Sequence, residues 1–448
     1  MLRVSLATLG CKANQADTAA LRDSIAAEVG LVEFVSPKVA ADVVVVNTCT
    51  VTHTADADAR QIIRRAHRQN PEATIVVTGC YAQTDRAALE SMDEVTHVVG
   101  NVDKSAVASL VGRVTRGEDP TVAFKREGHR DWNPTLRDAA AIRTLPRGLS
   151  RPFVKVQDGC DYVCSFCIIP TARGVSRSLP MDEVVDTINA YADAGAQEVV
   201  LTGIHLGHWG RDLQPKRRFS QQLQELLERT ARETTTRESG GPRLRISSLE
   251  PNEVDKDVLA LVQSHPRICP HLHVPLQSGH DGTLARMRRV YRTRWYTQII
   301  ERFRDAVPRG AWGIDVMVGF PGESDADFQE TYRYLRDLDF TYLHVFPYSP
   351  RRGTVAASMT DQVSPEVKRA RSRLLVALSN ERRQAHIDAS VGESARVLVE
   401  DRRHEGQLRG YTEHYVPLLL DGPDTWRNQL VSVTIEASVA GFASGVVV

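Results

Sequence analysis

Three short runs rich in β-branched residues, Val4 to Leu9, Val43 to Asn47 and Thr74 to Thr78, lie among segments of helical character such as Asp56 to Gln69. Continuous apolar runs of this length suit strands buried on both faces, as in parallel sheets covered by helices. The alternation constrains residues 1–112 to a parallel α/β domain. It resumes over residues 149–378 with six strand candidates: Phe153–Val156, Glu198–Thr202, Leu244–Ser248, His271–Leu276, Ile314–Val318 and Tyr342–Phe346. Six strand–helix units describe an incomplete (βα)6 barrel, related to the eight-fold one. Between these regions, residues 113–148 are polar and weakly periodic, with Gly117, Pro120, Gly128, Pro134 and Pro146, and are read as a linker. Arg232 to Pro242 is read as a surface loop. Over residues 380–448 the pattern becomes strands between polar turns, Ala395–Glu400 and Leu430–Ile435, which fits a small antiparallel β-barrel of the OB type.

With 448 residues, 42% hydrophobic and 25% charged, the chain can bury a sizeable core. No apolar run approaches the roughly 20 residues that span a membrane. Met1 to Leu6 lacks the apolar stretch of a signal peptide and reads as a first strand. The net charge is zero, so overall charge gives no pointer to nucleic acid. The basic residues are skewed, however: of 56, only 8 are Lys and the rest Arg. Arg suits bidentate phosphate contacts, and a GC-rich genome produces the same skew. Seven cysteines without a secretion signal argue for free thiols in a reducing compartment rather than a disulfide framework.

Six of those cysteines form two constellations. Cys160, Cys164 and Cys167 lie in Cys-Asp-Tyr-Val-Cys-Ser-Phe-Cys, directly after a strand candidate. Three thiolates this close can grip one metal cluster. A 4Fe-4S cluster normally takes four, so three leave one iron open to a small ligand. A zinc site completed by a distant fourth ligand is the alternative. Cys11, Cys49 and Cys80 are far apart in sequence, yet each lies just past the carboxyl end of a strand: Leu9-Gly10-Cys11, Asn47-Thr48-Cys49, Thr78-Gly79-Cys80. In a parallel sheet those ends share one edge, where ligands bind, so the three thiols can converge. Gly10 and Gly79 would allow the tight turn. Three unrelated buried thiols are the plain alternative. Cys269, without a cysteine neighbour, reads as simply buried.

The Cys160 motif resembles the radical S-adenosylmethionine signature. The two trios together resemble the methylthiotransferase family of that class, and the resemblance covers nearly the whole chain. It implies an N-terminal methylthiotransferase domain, a radical S-adenosylmethionine core and a C-terminal TRAM-like domain. Cys160, Cys164 and Cys167 would hold one 4Fe-4S cluster, with S-adenosyl-L-methionine on its open iron. Cys11, Cys49 and Cys80 would hold a second, auxiliary cluster concerned with the sulfur, and all six are candidate catalytic residues. Phe166, Gly203, Glu250, Gln277 and Gly319 are the candidate cofactor-binding residues; the last four end successive strands on one face. For Gly319, a plain strand-to-helix turn is the alternative.

The strings Cys11-Lys12-Ala13-Asn14-Gln15, Asn47-Thr48-Cys49-Thr50-Val51-Thr52 and Thr78-Gly79-Cys80-Tyr81-Ala82-Gln83 look like the branch acting on threonylcarbamoyladenosine in tRNA, just 3′ of the anticodon. Sister branches act on isopentenyladenosine in tRNA or on an aspartate of a ribosomal protein. A non-catalytic iron–sulfur RNA-binding protein is the reading from another class, disfavoured by the second complete trio. The resemblance implies a tRNA anticodon stem-loop as partner, an electron donor such as flavodoxin or ferredoxin, a monomer, and a cytoplasmic location. Tyr162-Val163 inside the Cys motif and His280 depart from the usual pattern. Basic clusters at Arg286, Arg288, Arg289, Arg292 and Arg294, with Tyr291 and Trp295 interleaved, and at Lys368 to Arg373 and Arg382, Arg383, are expected to face phosphates and bases, or to be solvated helix faces.

Overall fold

The computed structural model describes residues 1–118, 145, 149–231 and 240–448. Most of the linker and most of the Arg232–Pro242 loop lie outside them. The first sheet has five parallel strands, β1 (Leu2–Thr8), β2 (Val32–Val35), β3 (Val43–Thr48), β4 (Thr74–Gly79) and β5 (His97–Val99), in the order β2-β1-β3-β4-β5. The valine run of β3 serves both faces. Val44 and Val46 pack with Ile63 of the helix His53–Gln69, while Val43 and Val45 pack with Leu21 and Ile25 of the helix Lys12–Val29. β2 and β5, which the sequence reading did not pick out, are short edge strands that need only one neighbour.

Six parallel strands follow, with a two-residue pair between the first two: β6 (Phe153–Lys155), β7 (Gln157–Asp158), β8 (Arg177–Ser178), β9 (Glu198–Thr202), β10 (Arg243–Ile246), β11 (His271–His273), β12 (Ala311–Val318) and β13 (Tyr342–Pro347). β6, β9 and β10 form one sheet and β11, β12 and β13 another; the bridge Ser248–His273 joins them into the expected open barrel. On β12, Trp312, Ile314, Val316 and Val318 pack outward into the apolar core, and Gly313, Asp315 and Met317 alternate to the inside.

β14 (Ser394–His404), β15 (Gln407–Thr412), β16 (Pro417–Leu420), β17 (Leu430–Val439) and β18 (Phe442–Val447) close a small barrel around Val397, Val399, Leu408, Leu418 and Ile435. One pair, β16 with β18, is parallel, where an antiparallel barrel was expected. Two boundaries read from composition fall inside helices. The helix Ala106–Thr115 continues past 112 because Val107, Leu110 and Val111 pack against Leu21 and Ile25. The helix Pro365–Asp388 crosses 378–380: its Leu375 and Leu378 belong to the central core and its Ile387 to that of the last barrel. Among the described residues no helix is long and apolar enough to cross a membrane.

The last barrel is fastened by a buried triad. Glu198 pairs with Arg243 (2.5 Å) and Arg245 (2.7 Å), and these donate to the carbonyls of Arg396 (2.8 Å) and Thr412 (3.2 Å). Burial would raise the Glu198 pKa, but the two guanidiniums outweigh it and hold the carboxyl well below the usual range. A depressed folded value makes this a contribution present above about pH 4.3, the ordinary glutamate value, and lost as pH falls towards the folded value. Glu198→Ala removes the carboxylate that both buried guanidiniums share, leaving Arg243 only Glu413 at 3.8 Å among the described residues, and should cost about 3–5 kcal/mol at neutral pH. Urea denaturation measures this; a loss below about 1 kcal/mol would place the anchorage elsewhere.

Candidate active site

Cys11 caps the start of the helix Lys12–Val29, Cys49 follows β3, and Cys80 begins the helix Cys80–Thr84 after β4. All three lie at the carboxyl edge of the first sheet, as their spacing predicted. Burial raises the pKa of Cys11 and of Cys49, and neighbouring thiols add to it, Cys80 for Cys11 and both Cys80 and Cys11 for Cys49. The turn is built for the approach. At Gly10 (φ 92°) a Cβ would lie 2.7 Å from the Cys49 sulfur, so a side chain there would occupy the thiol's place. Cys49 and Cys80 are buried, whereas Cys11 is open to solvent while ringed by protein atoms whose desolvation raises its pKa. Asn101 Nδ2 lies 3.6 Å from the Cys80 sulfur.

The second trio lies in the loop that follows β7. Burial pushes the Cys160 and Cys167 thiols up to about 12, with the neighbouring thiols adding to the effect. Such thiols stay protonated at neutral pH until a bound cation displaces the protons. Both donor sets consist of sulfur and supply three ligands, which fits a 4Fe-4S cluster with one free iron. Arg289 Nη1 donates to Cys164 Sγ at 3.2 Å and its other amino group pairs with Glu250. Cys160 Sγ is 3.5 Å from His205 Nδ1, and His205 Nε2 is 2.6 Å from Glu253 Oε1. Burial pushes Glu253 up to about 7 and His205 down to about 4, so near neutral pH the imidazole is uncharged while the carboxyl titrates.

Of the residues expected to contact the cofactor, Glu250 joins this trio through Arg289, and the others take the following places. Phe166 packs edge-on to Phe320, with centroids 6.4 Å apart. Gly203 follows β9, tight against Gln157; Glu250 follows β10 and is engaged with Arg289. Gln277 adopts φ 69° and its N–H donates to the Asp315 carbonyl (2.8 Å). Gly319 takes φ 71° after β12, where its N–H and that of Phe320 donate to the Glu323 carboxylate. Tyr162 stacks edge-on against His205 (4.4 Å), and His280 caps the helix Asp281–Arg286 through Thr283 N–H. Cys269 is buried, as read, 3.8 Å from Glu198.

Between the trios lies a network that sequence reading missed. Asp17 meets Lys104 (2.8 Å), Arg173 (2.9 Å) and Lys155, while Asp158 meets Lys155 (2.9 Å) and Arg173 (2.8 Å). All five side chains are buried, and Arg173 also donates to Asn14, which holds the carbonyls of Leu9 and Thr48 beside Cys11 and Cys49. Desolvation opposes both carboxylates, but the cations hold them below their ordinary pKa. Three cations against two anions leave one positive charge in excess, and Arg173 feels Cys80 and Cys11 directly. That excess favours thiolates over thiols. The first basic cluster is corrected in part: Arg289 and Tyr291 are buried at the Cys164 site, and Arg286 pairs with Asp327 (3.2 Å). In the second cluster Lys368 donates to the Tyr348 carbonyl and Arg371 pairs with Asp325 (2.7 Å).

Comparison with known proteins bears on this arrangement. Residues 154–335 match the Radical SAM superfamily and residues 3–100 the Uncharacterized protein family UPF0004. The chain is 37% identical to the threonylcarbamoyladenosine tRNA methylthiotransferase MtaB of Bacillus subtilis, over 97% of this chain and 94% of that one. The chain belongs to the methylthiotransferase family. The protein of the same name from Aquifex aeolicus is 36% identical to this methylthiotransferase, over 94% of this chain and 97% of the relative. The tRNA-2-methylthio-N(6)-dimethylallyladenosine synthase of Methylacidiphilum infernorum is 30% identical, over 97% and 92%. Among solved structures, the radical S-adenosylmethionine methyltransferase TsrM from Kitasatospora setae shares the fold, with a TM-score of 0.54 over 78% of this chain and 77% of that one at 17% identity. This methylthiotransferase is thus a radical S-adenosylmethionine enzyme, a class that works with a 4Fe-4S cluster and S-adenosylmethionine.

Proposed function

We propose that this enzyme replaces the C2 hydrogen of threonylcarbamoyladenosine, just 3′ of the tRNA anticodon, with a methylthio group. The observation that carries the reading is the pair of complete thiol trios tied together by one buried network through Asp17, Arg173 and Asp158. The names of the Bacillus subtilis and Aquifex aeolicus relatives support the choice of substrate. In this reading Cys160, Cys164 and Cys167 ligate the cluster that meets S-adenosylmethionine, and Cys11, Cys49 and Cys80 ligate a second 4Fe-4S cluster. When bound, the first supplies one-electron chemistry able to break an unactivated C–H bond, which acid–base groups do not achieve. The chain's own part is to hold the six sulfurs in place, to stabilise them as thiolates with Arg289 and Arg173, and to present the base. Phe166, Gly203, Glu250, Gln277 and Gly319 would contact the cofactor.

The C-terminal barrel, resembling a TRAM domain, would grip the anticodon stem-loop; a base in that loop is accessible without opening a duplex. A flavodoxin or ferredoxin would deliver electrons to a monomer working in the cytoplasm. The test is nucleoside mass spectrometry of tRNA from a strain lacking the gene. The methylthio form of threonylcarbamoyladenosine should vanish while that of isopentenyladenosine persists. The opposite pattern would move the enzyme to the branch of the Methylacidiphilum infernorum relative; both forms intact would point away from tRNA, towards a protein substrate.

A further inference from the structure

The last strand of the central barrel carries a strip of rings on its inner face. By register, Tyr342, His344 and Phe346 of β13 stand beside Gly313, Asp315 and Met317 of β12, the residues that turn inward. The residues between them, Leu343 and Val345, pack outward with the core. Tyr342 is buried, and His344 is held by Asp315 (3.4 Å). Phe346, nearest the carboxyl end, is 45% exposed, and among the described residues no other Phe, Tyr or Trp is exposed. His344 meets its ring edge-on, with centroids 6.4 Å apart. A single exposed apolar residue on an outer surface needs no explanation. This one stands on an inner wall, at the carboxyl end of a barrel strand, where active sites are built.

Both thiol sites border that wall. On one side Met317, the register partner of Phe346, packs in the apolar cluster of Phe320 and Tyr348 that Phe166 joins, and Phe166 lies between Cys164 and Cys167. On the other side, the chain leaving β13 is fastened to the segment after Cys49. Ser349 Oγ accepts from the His53 N–H (3.1 Å), and Arg351 donates to Thr50 (2.6 Å) and pairs with Asp56 (2.6 Å). The ring is thus one strand from the packing around the Cys160 motif and three residues from a contact with the first domain. We propose that Phe346 stacks on the adenine of the substrate nucleoside and so positions the base between the two thiol sites. Every base has a π-face, and a base in a single-stranded loop can be splayed out onto an aromatic ring. The inference rests on the reading of a tRNA adenosine as substrate and adds the side chain that holds its base. Stacking is indifferent to the N6-substituent, so the contact does not depend on which modified adenosine is bound.

The test uses the full-length reconstituted enzyme and two synthetic anticodon stem-loops, one with threonylcarbamoyladenosine 3′ of the anticodon and one abasic there, with affinity read by fluorescence anisotropy. The parent should prefer the intact loop by about five- to a hundredfold, the scale of one base stacked on an aromatic side chain. Phe346→Leu keeps an apolar side chain but no ring, and should lose most of that preference while binding the abasic loop as the parent does. Phe346→Trp should retain it. Since the side chain is half exposed, neither change should disturb folding, and iron content checks this. A Phe346→Leu enzyme with the parent's preference overturns the inference and leaves the substrate reading standing, as does a parent that binds both loops equally. A parent that binds neither loop overturns both.

Discussion

Replacing Cys160, Cys164 and Cys167 together with alanine should abolish reductive cleavage of S-adenosylmethionine and remove about half the iron, from roughly eight atoms to roughly four per chain if each trio holds a four-iron cluster. The expectation follows from the separation of the two sulfur sets: the remaining trio sits on the carboxyl edge of another sheet and keeps its own support from Asn101 and Gly10. Anaerobic iron and sulfide analysis gives the first number, and chromatography of deoxyadenosine the second. Full iron retention would falsify the assignment of a cluster to this motif. Cysteine-to-alanine changes leave the strand β6 and the helix Ile169–Arg173 in place, so the variant should fold.

The reverse substitution separates the roles. With Cys11, Cys49 and Cys80 changed to alanine, the enzyme should still produce deoxyadenosine from S-adenosylmethionine, and methylthio transfer to tRNA should fall below detection. The Cys160 site draws its surroundings from Arg289, Glu250, His205 and Gly174, none of them in the first sheet. Its chemistry therefore does not depend on the other thiols, while the sulfur-bearing step does. Transfer at the parental rate by this variant would remove any need for a second cluster. Loss of deoxyadenosine as well would mean that the buried Asp17–Arg173 network had carried the damage across.

The relation between sequence and structure differs from element to element. The valine runs were legible because a strand buried on both faces has a continuous apolar signature, and the six core strands because short runs of strand character alternate with helical segments. Edge strands such as Val32–Val35, and Gln407–Thr412 of the last barrel, lack that signature and are recruited by a neighbour. Arg289 read as a phosphate contact because a charged residue in an isolated string is most often solvated. Only the packing of β10 and the loop after it against the Cys motif turns its guanidinium onto Cys164 and Glu250.

What the sequence determined on its own was the chemistry: three sulfurs within one loop, three more at equivalent strand ends, and an α/β chain to carry them. Local spacing and strand periodicity suffice for that, since both are short-range properties. What only the tertiary structure decided was the environment of those sulfurs. The contacts of Asp17 with Lys104, Lys155 and Arg173 bridge 87, 138 and 156 residues of chain. Such contacts leave no periodic mark in the sequence, because a buried ion pair constrains two side chains in space and neither one's neighbours along the chain.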